Sequence, residues 1–195
     1  MGSCLLCGQA LSPSYSLKAL LWQRHFYADQ ICHFCARDFV QLDTGHICQQ
    51  CGRFLPAPGL CSDCQRWLKQ HPDFPKNRAV FQYNDALHDY FQQYKRRGDY
   101  RLRHAFAGSL RALLARIVMP QLIVPIPTQA RHWQERQFDP VTGLFGDLLS
   151  LAPRLSGYDV QWQQSQLTRA QRLAAPNTFT VPSKLQVLTF RNQFS

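Results

Sequence analysis

Apolar residues change rhythm near residue 78. Before it, residues 1–66 read as loops and short hairpins. After it, a short extended run from Ala79 to Tyr83 leads into Leu87, Tyr90, Phe91 and Tyr94, spaced as on one helix face. Leu102, Phe106, Leu110, Leu114 and Ile117 continue with helical spacing. The run Leu122–Ile123–Val124 predicts a buried strand that stops at Pro125-Ile126-Pro127. Val141, Leu144, Phe145, Leu148 and Leu149 predict another helix, and Val160 and Val187–Leu188 later strands. Strands alternating with helices predict an α/β fold with a parallel sheet. Pro72 and Pro75 mark a linker. The expected organisation is a small module over 1–66, a linker over 67–77 and an α/β domain over 78–195.

The aperiodic first part carries all eight cysteines, in four Cys-x-x-Cys pairs: Cys4/Cys7, Cys32/Cys35, Cys48/Cys51 and Cys61/Cys64. Two residues between sulfurs let one tight turn aim both thiolates at a tetrahedral zinc, so four pairs supply two complete Cys4 sites, a double zinc ribbon. Such sites are structural, because no coordination position stays open. Redox thiol chemistry is the other use of this spacing. Gly8 and Gly52 directly follow a cysteine, where a knuckle turn favours positive φ. Pro56-Ala57-Pro58-Gly59 is turn chemistry. Pairing neighbours is the simplest scheme, and interleaved pairing fits the spacing as well. Trp22, Phe26 and Tyr27 offer a mini-core, but a module this small needs its metals to fold. His25, His33 and His46 lie near the pairs and read as surface residues.

Charge divides the chain differently. The formal +10 comes almost wholly from residues 76–195, with sixteen Lys/Arg against seven Asp/Glu; residues 1–75 hold six against five. Two zinc ions bound by eight thiolates would bring the first part to about −3 and the whole chain to about +6. A nucleic-acid surface is therefore expected on the second part. No apolar run approaches the roughly 20 residues of a membrane span, and no signal peptide is visible. A cytoplasmic protein with reduced thiols is the expectation.

Four knuckles followed by an α/β half resemble the ComF family of amidophosphoribosyltransferase-like, GntX-type proteins. Along the second half, Tyr94-Lys95-Arg96-Arg97-Gly98-Asp99 resembles that family's lysine-plus-Gly-Asp segment, and Val124-Pro125-Ile126-Pro127 its strand end. Glu135-Arg136-Gln137-Phe138-Asp139 resembles its Arg-Gly-Phe-Asn segment, with Gln137 and Asp139 as departures. Gln166-Leu167-Thr168-Arg169, Arg172-Leu173 and Asn177-x-Phe179 resemble a further segment. The resemblance implies a type I phosphoribosyltransferase fold with a late strand, an acidic pair and a Thr-Thr-Gly loop that cradles the phosphate of phosphoribosyl pyrophosphate (PRPP). Here Gln186-Val187-Leu188 is followed by Thr189-Phe190-Arg191-Asn192-Gln193-Phe194-Ser195, without that pair or loop. The expectation is a fold truncated at its C-terminal end, through a frameshift near codon 189 or loss of the site in the lineage. Catalysis with PRPP and Mg2+ is expected only if a longer chain restores the loop, and no catalytic residue can be named.

The same resemblance implies a competence protein acting in DNA uptake or processing during natural transformation, with single-stranded DNA and a ComFA-like helicase as partners. Lys95, Arg96, Arg97, Arg101 and Arg103 form the densest basic cluster and are candidate phosphate contacts. Tyr94 and Tyr100 are available for stacking on bases, although a solvated helix end would show the same cluster. The stripe Tyr90/Phe91/Tyr94 also reads as core. Arg131, Arg136, Arg169 and Arg172 are further candidates for gripping phosphate oxygens, against a plain reading as surface arginines with Glu135 as an ion-pair partner. The rival readings are a phosphoribosyltransferase enzyme and an inactive fragment of one.

Overall fold

The computed structural model describes residues 2–11, 28–42, 44–118, 120, 122–152, 155–157, 166–176 and 179–180. The predicted mini-core of Trp22, Phe26 and Tyr27, His25, the strands at Val160 and Val187–Leu188, Asn177 and the segment 186–195 lie outside the described residues. The chain divides into two compact units, Met1–Tyr94 with Arg101–Val118, and Lys95–Tyr100 with Met119–Ser195.

In the first unit each leading Cys-x-x-Cys pair sits in a tiny antiparallel hairpin, closed by the bridges Ser3–Ala10 and Ile47–Phe54. The backbone N–H of Cys4 donates to Gln9 at 2.7 Å and that of Cys48 to Arg53 at 2.7 Å. Such turns need a residue at positive φ, supplied by Gly8 at 76° and Gly52 at 73°. Each following pair opens a helix: α1, His33–Ala36, begins after Cys32, and α2, Ser62–Gln70, after Cys61. The end of α2 enters the span read as a linker. Trp67 stacks on Phe74 at 5.6 Å, and the N–H of Asn77 donates to Gln50 at 2.7 Å, so this span packs against the second hairpin.

Helix α3, Asp85–Phe91, starts at Asn84, whose side chain accepts from the N–H of Leu87 at 3.1 Å. It widens into a π-helical turn, Gln92–Arg96. Gly98 at φ 75° then breaks the run before the 3-10 turn Tyr100–His104 and helix α4, Ala107–Leu114. The apolar face read from the sequence is the buried one: Leu87, Tyr90, Tyr94, Leu102 and Phe106 are all buried. Phe39, Phe81, Tyr90 and Phe106 form an aromatic core with ring separations of 4.7 to 6.0 Å. Among the described residues the run Ala79–Tyr83 forms only the bridge Gln41–Phe81. Helix α4 has no side-chain cap of its own. Asp29 supplies one, accepting from the N–H of Ser109 at 2.9 Å, which also places a negative charge at the positive end of the helix dipole.

In the second unit the expected strand Leu122–Val124 forms no strand and has no sheet partner among the described residues. Pro125 and Pro127 cannot donate to a ladder, and the recorded tie is from the N–H of Ala152 to Ile123 at 2.9 Å. Then follow α5, Ala130–Arg136, and α6, Pro140–Phe145. Strand β1, Ser156–Gly157, pairs antiparallel with β2, Phe179–Thr180, and α7, Arg169–Ala174, lies between them in sequence with a complete capping box at Thr168 and Gln171. The described fold is thus mixed helix and strand. Its one sheet among the described residues is this antiparallel pair, not the parallel sheet expected. Among the described residues no helix is long and apolar enough to cross a membrane.

Candidate metal centres and a basic aromatic cavity

Eight thiols converge in two groups of four, Cys4, Cys7, Cys32 and Cys35, and Cys48, Cys51, Cys61 and Cys64. Pairing is by neighbours. Within each group all sulfurs lie within 4.8 Å of one another. Ligands at about 2.3 Å on the corners of a tetrahedron stand about 3.8 Å apart. Cys7 and Cys32 are separated by 3.7 Å, and Cys51 and Cys61 by 3.8 Å. A disulfide needs about 2.0 Å, so these are thiols spaced as ligands.

Backbone donors support that role. The N–H of Cys32 points at the sulfur of Cys4 at 3.3 Å, and that of Cys61 at Cys48 at 3.4 Å. Burial pushes the Cys4 thiol up, but N–H groups of Cys7, Cys32 and Leu6 outweigh it and bring it down to about 6. Cys48 reaches about 6 in the same way, burial being outweighed by donors at Cys51, Cys61 and Gln50. Cys35 and Cys64 go strongly the other way, through burial and then the neighbouring sulfurs. Four thiolates this close repel one another unless a cation sits among them, and a divalent ion resolves the conflict. Each group could hold one. Near the second group, Arg53 pairs with Asp63 at 3.2 Å. Among the described residues neither His33 nor His46 joins a group; they lie against Phe34 and Phe54 instead.

The second unit contains an open cavity of about 560 Å3. The Gly98 turn brings in Tyr100, which packs on buried Phe138 at 4.8 Å. Helix α5 contributes Trp133 and Arg136. Beyond it the chain turns through Gln137 at φ 62°, ψ 18°, a left-handed conformation that glycine adopts without strain. Asp139 fixes the floor: its carboxylate accepts from the N–H of Thr142 at 2.7 Å, capping α6, and from that of Thr128 at 3.0 Å. The two departures from the family segment, Gln137 and Asp139, are therefore a strained turn and a helix cap. Arg136 is steadied by a bond from Nε to the carbonyl of His132 at 3.0 Å. Lys95 lies in the same electrostatic neighbourhood, its ammonium disfavoured first by desolvation and then by Arg136, while Asp139 favours it.

Of the basic residues singled out by sequence, Lys95 and Arg136 are thus brought together. Arg96 and Arg97 are exposed on the segment that carries Lys95, and Arg131 is half-buried at the start of α5. Arg101 and Arg103 belong to the first unit, on the 3-10 turn. Arg169 and Arg172 are exposed on α7, with Arg172 Nε bonded to the carbonyl of Leu167 at 2.9 Å. Glu135 meets His132 at 2.9 Å. Tyr94 does not serve as a stacking platform: it is 0% exposed, its ring 6.0 Å from that of Tyr90 in the core. Tyr100 is 41% exposed and retains that capacity. Trp133, 49% exposed, was not among the candidates, although its position three residues before Arg136 places both on one helix face.

Two curated proteins are similar to the chain. Competence protein ComFC of Bacillus subtilis (strain 168) is 30% identical over 141 residues, 70% of this chain and 58% of that protein. Competence protein ComFC of Streptococcus pneumoniae (strain ATCC BAA-255 / R6) is 33% identical over 141 residues, 72% of this chain and 62% of that protein. The chain spans about three fifths of the length of these relatives. No family profile and no solved structure matches.

Proposed function

This chain belongs to the ComF family, and from that premise we propose that it acts in competence-related DNA handling by binding single-stranded DNA through its second unit. One observation carries the reading. Arg136 and two exposed aromatic rings, Tyr100 and Trp133, line one open cavity of the second unit, and Lys95 lies in the electrostatic neighbourhood of Arg136. Cations hold phosphates, and flat rings stack on bases of any identity, the two components of sequence-tolerant single-strand binding. Exposed Arg96 and Arg97 extend the positive path. The two thiol groups would each hold a structural zinc, which fixes the hairpins and helices of the first unit and supplies no reactive position. A ComFA-like helicase is the partner this reading supplies, and the cytoplasm is its setting.

Titration of the full chain with a labelled oligothymidine, read by fluorescence anisotropy, tests the reading. With about four phosphates engaged, raising salt from 50 to 200 mM weakens binding about 50-fold. A parallel titration with PRPP and Mg2+ separates the enzyme reading. PRPP binding without DNA binding would overturn the proposal.

A further inference from the structure

A second cavity, of about 320 Å3, lies wholly within the first unit. Its inner walls are the half-buried side chains of Leu42, Ile47, Val80, Leu113 and Ile117, from the first strand of the Gln41–Phe81 bridge, the second hairpin, the extended run and α4 with the turn beyond it. Its mouth carries exposed Asn77, Arg78, Ala112 and Arg116. No acidic residue lines it among the described residues. Arg78 is held at the mouth by bonds from Nη1 to the carbonyls of Gln49 at 3.2 Å and Asn77 at 2.9 Å. Asn77 is itself tied to the carbonyl of Cys51 at 3.0 Å, so the metal-binding hairpin sets the shape of the mouth. Arg116 makes no side-chain hydrogen bond or ion pair among the described residues, although it stands beside this opening.

We propose that this cavity is a docking site for a partner protein, taking one large apolar side chain flanked by aspartate or glutamate. The division of chemistry favours that occupant. The depth offers apolar contact, while both cations stand at the mouth, where the charges of an adjoining chain would lie. The volume is at the low end for ligand pockets and suits one or two side chains. The two cavities share no lining residue, and the two arginines at the mouth select against basic segments.

Selection of a displayed random-peptide library on the full chain tests this, followed by anisotropy titration of the enriched peptide in labelled form. The expected consensus is Leu, Phe or Met beside Asp or Glu. Binding of that peptide is expected to weaken at least tenfold in R116E and to disappear in A112W, where the indole fills the mouth, while W133A leaves it unchanged. R116E alters an exposed side chain and keeps the test informative if A112W folds poorly. The proposal is overturned by absence of an acidic-apolar consensus, by binding insensitive to R116E, or by octanoate occupying the cavity when the peptides do not.

Discussion

At the level of single residues, Gln137 and Asp139 show how the cavity is built and where it is strained. Gln137 occupies the left-handed position that ends α5, which costs a residue with a Cβ about 1 kcal/mol. Q137G removes that cost and gives back part of it as freedom of the unfolded chain. A net stabilisation of about 0.5 kcal/mol is expected, seen as a thermal midpoint raised by about 1–2 °C; a lowered midpoint would show that the Gln137 side-chain bond to Gln134 outweighs the strain. D139A loses the cap of α6 together with the tie to Thr128 and is expected to cost about 1–2 kcal/mol. D139N, which keeps an acceptor, should lose well under half of that in denaturant unfolding. Tyr94 is readable both as part of an apolar stripe and as a ring for stacking on bases. The periodicity was the better guide, because a residue on the same face as Leu87 and Tyr90 is carried inward whatever adjoins it. Trp133 went unread for the opposite reason: one aromatic on a short helix has no period, and only its relation to Arg136 marks it.

Among the elements, the metal-binding hairpins were legible in their spacing, while their partners were not. Cys-x-x-Cys says that two sulfurs share an ion, not which second pair completes it. The fold completes it by ending each group in a helix, α1 or α2, whose first turn carries the second pair of sulfurs. Native mass spectrometry is expected to find two zinc ions per chain, with C4S losing one and C48S losing the other independently. Loss of both from either variant would contradict two separate centres. The run Leu122–Val124 shows the limit of composition. Its β-branched residues predict a strand, but no partner pairs with it among the described residues, and a strand requires one. Helix α4 makes the complementary point. Its own sequence lacks a cap, and Asp29, eighty residues earlier, provides it. D29A should therefore lower stability by about 1 kcal/mol in urea unfolding, and D29N by less. No local reading could locate such a cap.

For the whole molecule, the change of rhythm near residue 78 is not where the structure divides. The first unit includes residues 78–94 and 101–118 as well as the knuckles, because the aromatic core draws Phe39 from the first part and Phe81, Tyr90 and Phe106 from the second. The basic residues fall on both units, and within the second unit Arg136 meets exposed rings about one cavity. Metal binding is thus proposed for one unit and single-stranded DNA binding for the other. Its most direct test is the affinity of W133A for labelled oligothymidine at fixed salt, measured beside wild type on samples with equal zinc content and equal thermal midpoints. Loss of one base stack, about 1–3 kcal/mol, predicts binding weaker by roughly five- to 150-fold with the salt dependence unchanged. Wild-type affinity in W133A would contradict the cavity as the place where DNA is held.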